Sequence, residues 1–86
     1  MEIAGKVAVI TGAGSGIGRA TAQLLAAEDA SIVVADIDEA GGNETVRLIE
    51  GAGSRAIFIK ANVTDAVDVR RMLDTAVTRF GRLDIL

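Results

Sequence analysis

Nothing in this sequence can form a disulfide or a thiolate metal site, because it contains no cysteine. Histidine is absent too, which removes a leading zinc ligand and the side chain most used for proton transfer near neutral pH. No metal-ligating set is expected. Tyrosine, tryptophan and proline are also missing, and the only aromatics are two phenylalanines. With 9 Lys and Arg against 12 Asp and Glu, a net charge of −3 and a pI near 4.7, the chain offers neither a basic stripe nor stacking rings for nucleic acid. The absence of proline, low-complexity stretches and linkers leaves no internal domain boundary. The opening Met1-Glu-Ile-Ala-Gly-Lys6 carries an acid where a secretory leader would be basic, and no apolar run approaches a membrane span in length. A soluble, cytoplasmic protein with no membrane partner is the expectation.

What is present is apolar and small: half the residues are hydrophobic, ten are glycine, and mean hydropathy is +0.41. A chain of this length buries only about 60–65% of its unfolded surface, so it makes one domain at most. Strand-like runs at Val7–Ile10, Ile32–Ala35, Ala56–Ile59 and Ile85–Leu86 recur roughly every 25 residues, separated by segments of helical period. That alternation predicts an α/β fold with a parallel sheet, and right-handed crossovers set the strand order 3-2-1-4.

The intervening helices are expected as follows. The first, Gly16 to Glu28, carries Ile17, Thr21, Leu24 and Leu25 at i, i+4, i+7, i+8, a stripe suited to packing on the sheet. The second starts after Asp38 as N-cap and packs through Thr45, Leu48 and Ile49. Gly41 and Gly42 each cost it up to about 1 kcal/mol relative to Ala, so a loose start is expected. The third, capped by Thr64 or Asp65, presents Val69, Met72, Leu73, Ala76, Val77 and Phe80 before Gly81 stops it. Stripes of this kind are core.

The first strand runs straight into Thr11-Gly-Ala-Gly-Ser-Gly-Ile-Gly18. Gly12 permits a sharp turn, Gly14 and Gly16 would leave backbone bare for a ligand, and Gly18 lets helix and strand approach. The first amides of the helix, around Ser15, Gly16 and Ile17, have no intrahelical acceptor and carry the positive end of the helix dipole, which suits an anion. Ser15 adds a hydroxyl. The spacing Gly-x-x-x-Gly-x-Gly differs from the commonest dinucleotide fingerprint, and no Lys-Ser/Thr follows to make a nucleoside-triphosphate loop. Asp36, 18 residues after Gly18, ends the second apolar run, where a neighbouring parallel strand would set an acid beside a ribose.

These residues resemble the cofactor motif of the classical short-chain dehydrogenase/reductase family. Ala61-Asn-Val-Thr-Asp65 looks like that family's Asp-Val-Thr-Asp segment, and Phe80-Gly-Arg-Leu-Asp-Ile-Leu86 looks like the run into its fourth strand. The resemblance implies a Rossmann-type doubly wound sheet. It also implies that Gly12, Gly14, Ser15, Gly16, Ile17 and Gly18 bind the pyrophosphate of a nicotinamide dinucleotide and that Asp36 binds the adenosine ribose. Asn62 would accept from the adenine amino group, and Val63 would donate its N–H to the ring. Ser15 and Ile37 stand where members preferring the phosphorylated cofactor tend to put a base, so NAD is expected over NADP. Arg19 is read as a solvated first-turn residue, with a phosphate contact as the lesser alternative.

By the same resemblance, the chemistry is hydride transfer between NAD and an alcohol or ketone. The family's catalytic Ser, Tyr and Lys have no counterpart here: there is no Tyr, and Lys6 and Lys60 sit at strand ends without a partner, so no catalytic residue is assigned. The chain is therefore expected to be the N-terminal part of a single dinucleotide-binding domain, cut within its fourth strand, in a protein that forms homotetramers or homodimers. An NAD-binding sensor or interaction module is the alternative, and Tyr-x-x-x-Lys further along the protein would decide between them.

Overall fold

A computed structural model describes residues 3–84. Strand β1 (Val7–Thr11), helix α1 (Gly16–Ala27), β2 (Ser31–Asp36), α2 (Glu39–Gly51), β3 (Ala56–Lys60) and α3 (Ala66–Phe80) follow in strict alternation. Both strand pairings are parallel. Val7 to Thr11 lie opposite Ser31 to Ala35, and Ile32 to Asp36 lie opposite Ala56 to Lys60. The order is therefore 3-2-1, the expected α/β Rossmann arrangement; the fourth strand, expected at Ile85–Leu86, lies outside the described residues.

Side chains on successive strand residues point to opposite faces, and both faces are covered, so the strands read as unbroken apolar runs. Ala8, Ile32, Val34 and Ala56 join Ala22, Ala26 and Ile49 in one core, beneath α1 and α2. Val7, Val9, Val33, Ala35 and Ile59 join Met72 and Ala76 in the other, beneath α3. Met72 is fully buried, and its burial contributes about 1.5–3 kcal/mol.

The expected stripe of α1 has the right period and the wrong phase. Ile17 is 86% and Leu24 70% exposed, while Ala22 and Ala26 are buried. The inward face is Gly18, Ala22, Leu25 and Ala26, the same i, i+4, i+7, i+8 spacing moved by one residue. The cause lies at Gly18, where a Cβ would stand 2.1 Å from the Gly12 carbonyl oxygen. The helix sits so close to the end of β1 that glycine and alanine take most of the face against the sheet, with Leu25 packed at its edge. Val77, placed in the stripe of α3, is likewise 50% exposed.

The start of α2 is packed rather than loose. Asp38 accepts from the Gly41 N–H at 3.2 Å, which caps the helix. A Cβ at Gly42 would lie 2.1 Å from the Phe58 ring, and one at Gly41 would lie 2.6 Å from the Gly14 carbonyl oxygen. The two glycines let α2 press on β3 and on the turn after β1. Asp65, not Thr64, caps α3 by accepting from Val67 N–H, and Gly81 closes that helix with φ +81.

Candidate dinucleotide site

The carboxyl ends of β1, β2 and β3 lie side by side, and the sequence-predicted site residues gather there. Gly12 turns the chain with φ +65 and Gly16 opens α1 with φ +54, conformations that L side chains resist. Neither glycine would bring a Cβ within 4 Å of another group, so both face open space. Ser15 is the extended N-cap of α1, and its side chain makes no capping bond. The Arg19 N–H donates to the Ser15 carbonyl at 3.2 Å. The amides of Gly16, Ile17 and Gly18 therefore lie ahead of that bond, with no acceptor in the helix.

Gly14 departs from expectation. It is buried, and its missing Cβ makes room for protein rather than ligand, since the atom would lie 2.7 Å from Asp36 Oδ2 and 3.0 Å from the Gly42 nitrogen. The Gly14 N–H donates to Asp36 Oδ2 at 2.8 Å, and the Asp38 N–H donates to Oδ1 at 2.9 Å. A carboxylate offers about four lone-pair sites. Two are engaged, which leaves acceptor capacity for a bound group.

Arg19 is not the solvated residue expected from its position. Its Nε donates to Thr45 Oγ1 at 2.9 Å, and its terminal nitrogen donates to the carbonyls of Gly14 at 2.7 Å and Gly41 at 3.1 Å. Thr45 is fully buried and passes its own proton to the Ala13 carbonyl at 2.6 Å. Sequence reasoning placed Thr45 only as core. A hydroxyl at a core position of a helix was the available signal, because a buried polar group demands a partner.

Gly12, Asp36, Ile37, Ala61, Asn62 and Val63 line one hollow of about 180 Å³. Ala61 N–H donates to the Asp36 carbonyl at 3.1 Å, which holds the two strand ends together. Ile37 and Val63 are more than half exposed and supply its apolar rim. The Asn62 side-chain oxygen accepts from Thr64 N–H at 3.0 Å and from Thr64 Oγ1 at 2.6 Å. It thus closes the strand-to-helix turn, so the expected acceptor is engaged within the protein. Ile17 stands outside this hollow, at the exposed start of α1. A larger groove of about 640 Å³ runs along the outward side of α3, among Arg70, Asp74, Thr78 and Arg79. It shares no lining residue with the hollow and holds the solvated Arg70–Asp74 pair at 3.8 Å.

Among the described residues no group of three or more His, Cys, Asp or Glu is placed to hold a metal ion, and no helix is long and apolar enough to cross a membrane.

A three-stranded parallel sheet with a glycine turn after its first strand and an acid at the tip of its second is the front of a dinucleotide-binding fold. The family model for short chain dehydrogenases matches residues 6–86, and the chain belongs to that family. It is 46% identical over 81 residues to cis-4-hydroxycyclohexanecarboxylate dehydrogenase of Sinomonas cyclohexanicum, covering 94% of this chain and 32% of that protein. A short chain dehydrogenase/reductase of Burkholderia phymatum, solved in complex with NAD, superposes with a TM-score of 0.96 at 40% identity, over 99% of this chain and 31% of that one. A hydroxysteroid dehydrogenase from Escherichia coli gives 0.96 at 36% identity, over 99% and 36%. The chain spans about a third of the length of the relatives it matches.

Proposed function

We propose that this chain binds the adenosine and pyrophosphate portion of NAD, as the N-terminal part of one dinucleotide-binding domain in an oxidoreductase acting on an alcohol or ketone. The observation that carries this reading is the meeting of Gly12, Asp36, Ile37, Asn62 and Val63 around one hollow, beside the unpaired first amides of α1. The residues suit the ligand: Gly16 leaves open backbone where a diphosphate would meet the N–H groups of Ser15, Gly16 and Ile17, and Asp36 retains lone pairs for ribose hydroxyls. Gly14 and Gly18 act indirectly, by allowing the turn to close. With its carbonyl engaged by Thr64, Asn62 would offer its NH2 group to an acceptor nitrogen of the base, next to the Val63 N–H.

Nicotinamide supplies the hydride chemistry when the cofactor is bound. The residues here bind and orient it; proton transfer falls to groups outside this chain, in a protein that works as a homo-oligomer by likeness to its family.

Asp36 also selects the cofactor. A phosphate charge about 4 Å from its carboxylate costs roughly 4 kcal/mol at an effective dielectric near 20, and neither Ser15 nor Ile37 brings a compensating cation. Titration calorimetry on the full protein should show NAD binding at least about tenfold more tightly than NADP. Equal dissociation constants would overturn the preference, and no binding of either would overturn the site.

A further inference from the structure

Both backbone polar groups of Gly14 are held by side chains from different elements: its N–H by Asp36 at the end of β2, its carbonyl by Arg19 in the first turn of α1. The same guanidinium nitrogen bonds the Gly41 carbonyl, and Nε bonds Thr45, so α2 is tied to the turn through one cation. A guanidinium has five N–H donors in a rigid planar fork. Three of them are spent here, all on the side of the turn that faces α2.

The peptide unit following Gly14 is planar and trans, so its N–H, which belongs to Ser15, points away from its carbonyl. Fixing the Gly14 carbonyl against Arg19 therefore aims the Ser15 N–H in the opposite direction, away from the guanidinium that ties the turn to α2. We propose that Arg19 is a positioning residue for the phosphate turn: by gripping the Gly14 and Gly41 carbonyls it presets the Ser15–Ile17 amides for a diphosphate that it does not itself touch. This inference rests on the dinucleotide reading above and adds to it the residue that makes the cradle rigid before ligand arrives, an ordering cost then not charged against binding.

The test uses the full-length protein with Arg19→Met, Arg19→Lys and Thr45→Val, titrated with NAD, ADP and adenosine, and followed by amide hydrogen exchange without ligand. Arg19→Met should weaken NAD and ADP about tenfold, the scale of losing charge-assisted hydrogen bonds, and change adenosine less than about twofold. Exchange at the Ser15 and Gly16 amides should quicken. Arg19→Lys should recover part of the loss, and Thr45→Val, which is buried away from any ligand, should reproduce its pattern. Unchanged ADP binding in Arg19→Met overturns the proposal. So does an equal loss for adenosine, which would make Arg19 a support of the fold alone, or a loss that Thr45→Val does not share, which would make Arg19 a direct phosphate ligand. Should the wild type bind none of the three, the dinucleotide reading fails, and the exchange at Ser15 still decides whether Arg19 positions the turn.

Discussion

The backbone N–H of Gly14 donates to Oδ2 of Asp36 across 2.8 Å, so the acid at the tip of one strand holds the turn that leaves its neighbour. The turn's geometry is thereby held by the same carboxylate that the proposed ribose contact would use. A residue assigned to ligand recognition is also a structural strut, and the two roles separate on substitution.

Asp36→Asn tests that separation. The neutral side chain keeps a single carbonyl acceptor for two backbone donors, Gly14 N–H and Asp38 N–H, so one of them loses its partner. Equilibrium denaturation in urea should show a loss of about 1–3 kcal/mol, and the NAD-to-NADP affinity ratio should fall at least about tenfold as the charge repelling a 2′-phosphate disappears. A lower stability with the ratio intact would leave Asp36 as a strut only.

The paired glycines of α2 make a second prediction. At Gly42 a Cβ would meet the Phe58 ring at 2.1 Å, whereas at Gly51 nothing lies within 4 Å and φ is not positive. Gly42→Ala should destabilise by about 1–3 kcal/mol because a partly buried, packed ring must move, despite the better helix propensity of Ala. Gly51→Ala should stabilise by up to about 1 kcal/mol. Thermal melts of both variants check the pair; stabilisation by both would mean that Phe58 yields freely.

That contrast also shows how far the sequence could be read. Strand positions were legible because β1, β2 and β3 are buried on both faces and so appear as unbroken apolar runs; Asp38 announced α2 as its cap, while for α3 the choice between Thr64 and Asp65 was open until the structure gave it to Asp65. The phase of α1 was not legible. Hydropathy favours Ile17 and Leu24 as inward residues, but close approach at Gly18 turns Ala22 and Ala26 inward instead, beside the expected Leu25. Gly41 and Gly42 looked like a propensity penalty, since nothing local reveals that Phe58 and the Gly14 carbonyl press on them. The Arg19–Thr45 bond spans 26 residues, a separation at which no pattern of spacing points to a partner.

Acid unfolding gives a final prediction. After α3 the chain returns to β1: Asp84 N–H donates to the Val7 carbonyl at 3.0 Å, and Asp84 Oδ2 accepts from Val7 N–H at 3.0 Å. Arg82 bonds both carboxylate oxygens, at 2.7 and 2.8 Å. The Arg82 guanidinium first, and the Val7 N–H second, hold the Asp84 carboxyl down to about 2 from an ordinary 3.8. A carboxyl depressed in the folded state contributes stability that is fully present above its unfolded value near 3.8 and is lost as pH falls through about 2. The urea midpoint of the wild type should therefore drop between pH 4 and pH 2, and Asp84→Asn, less stable at neutral pH, should drop less over that window. Parallel curves for the two proteins from pH 4 to pH 2 would show that protonation of Asp84 does not loosen the return of the chain to β1.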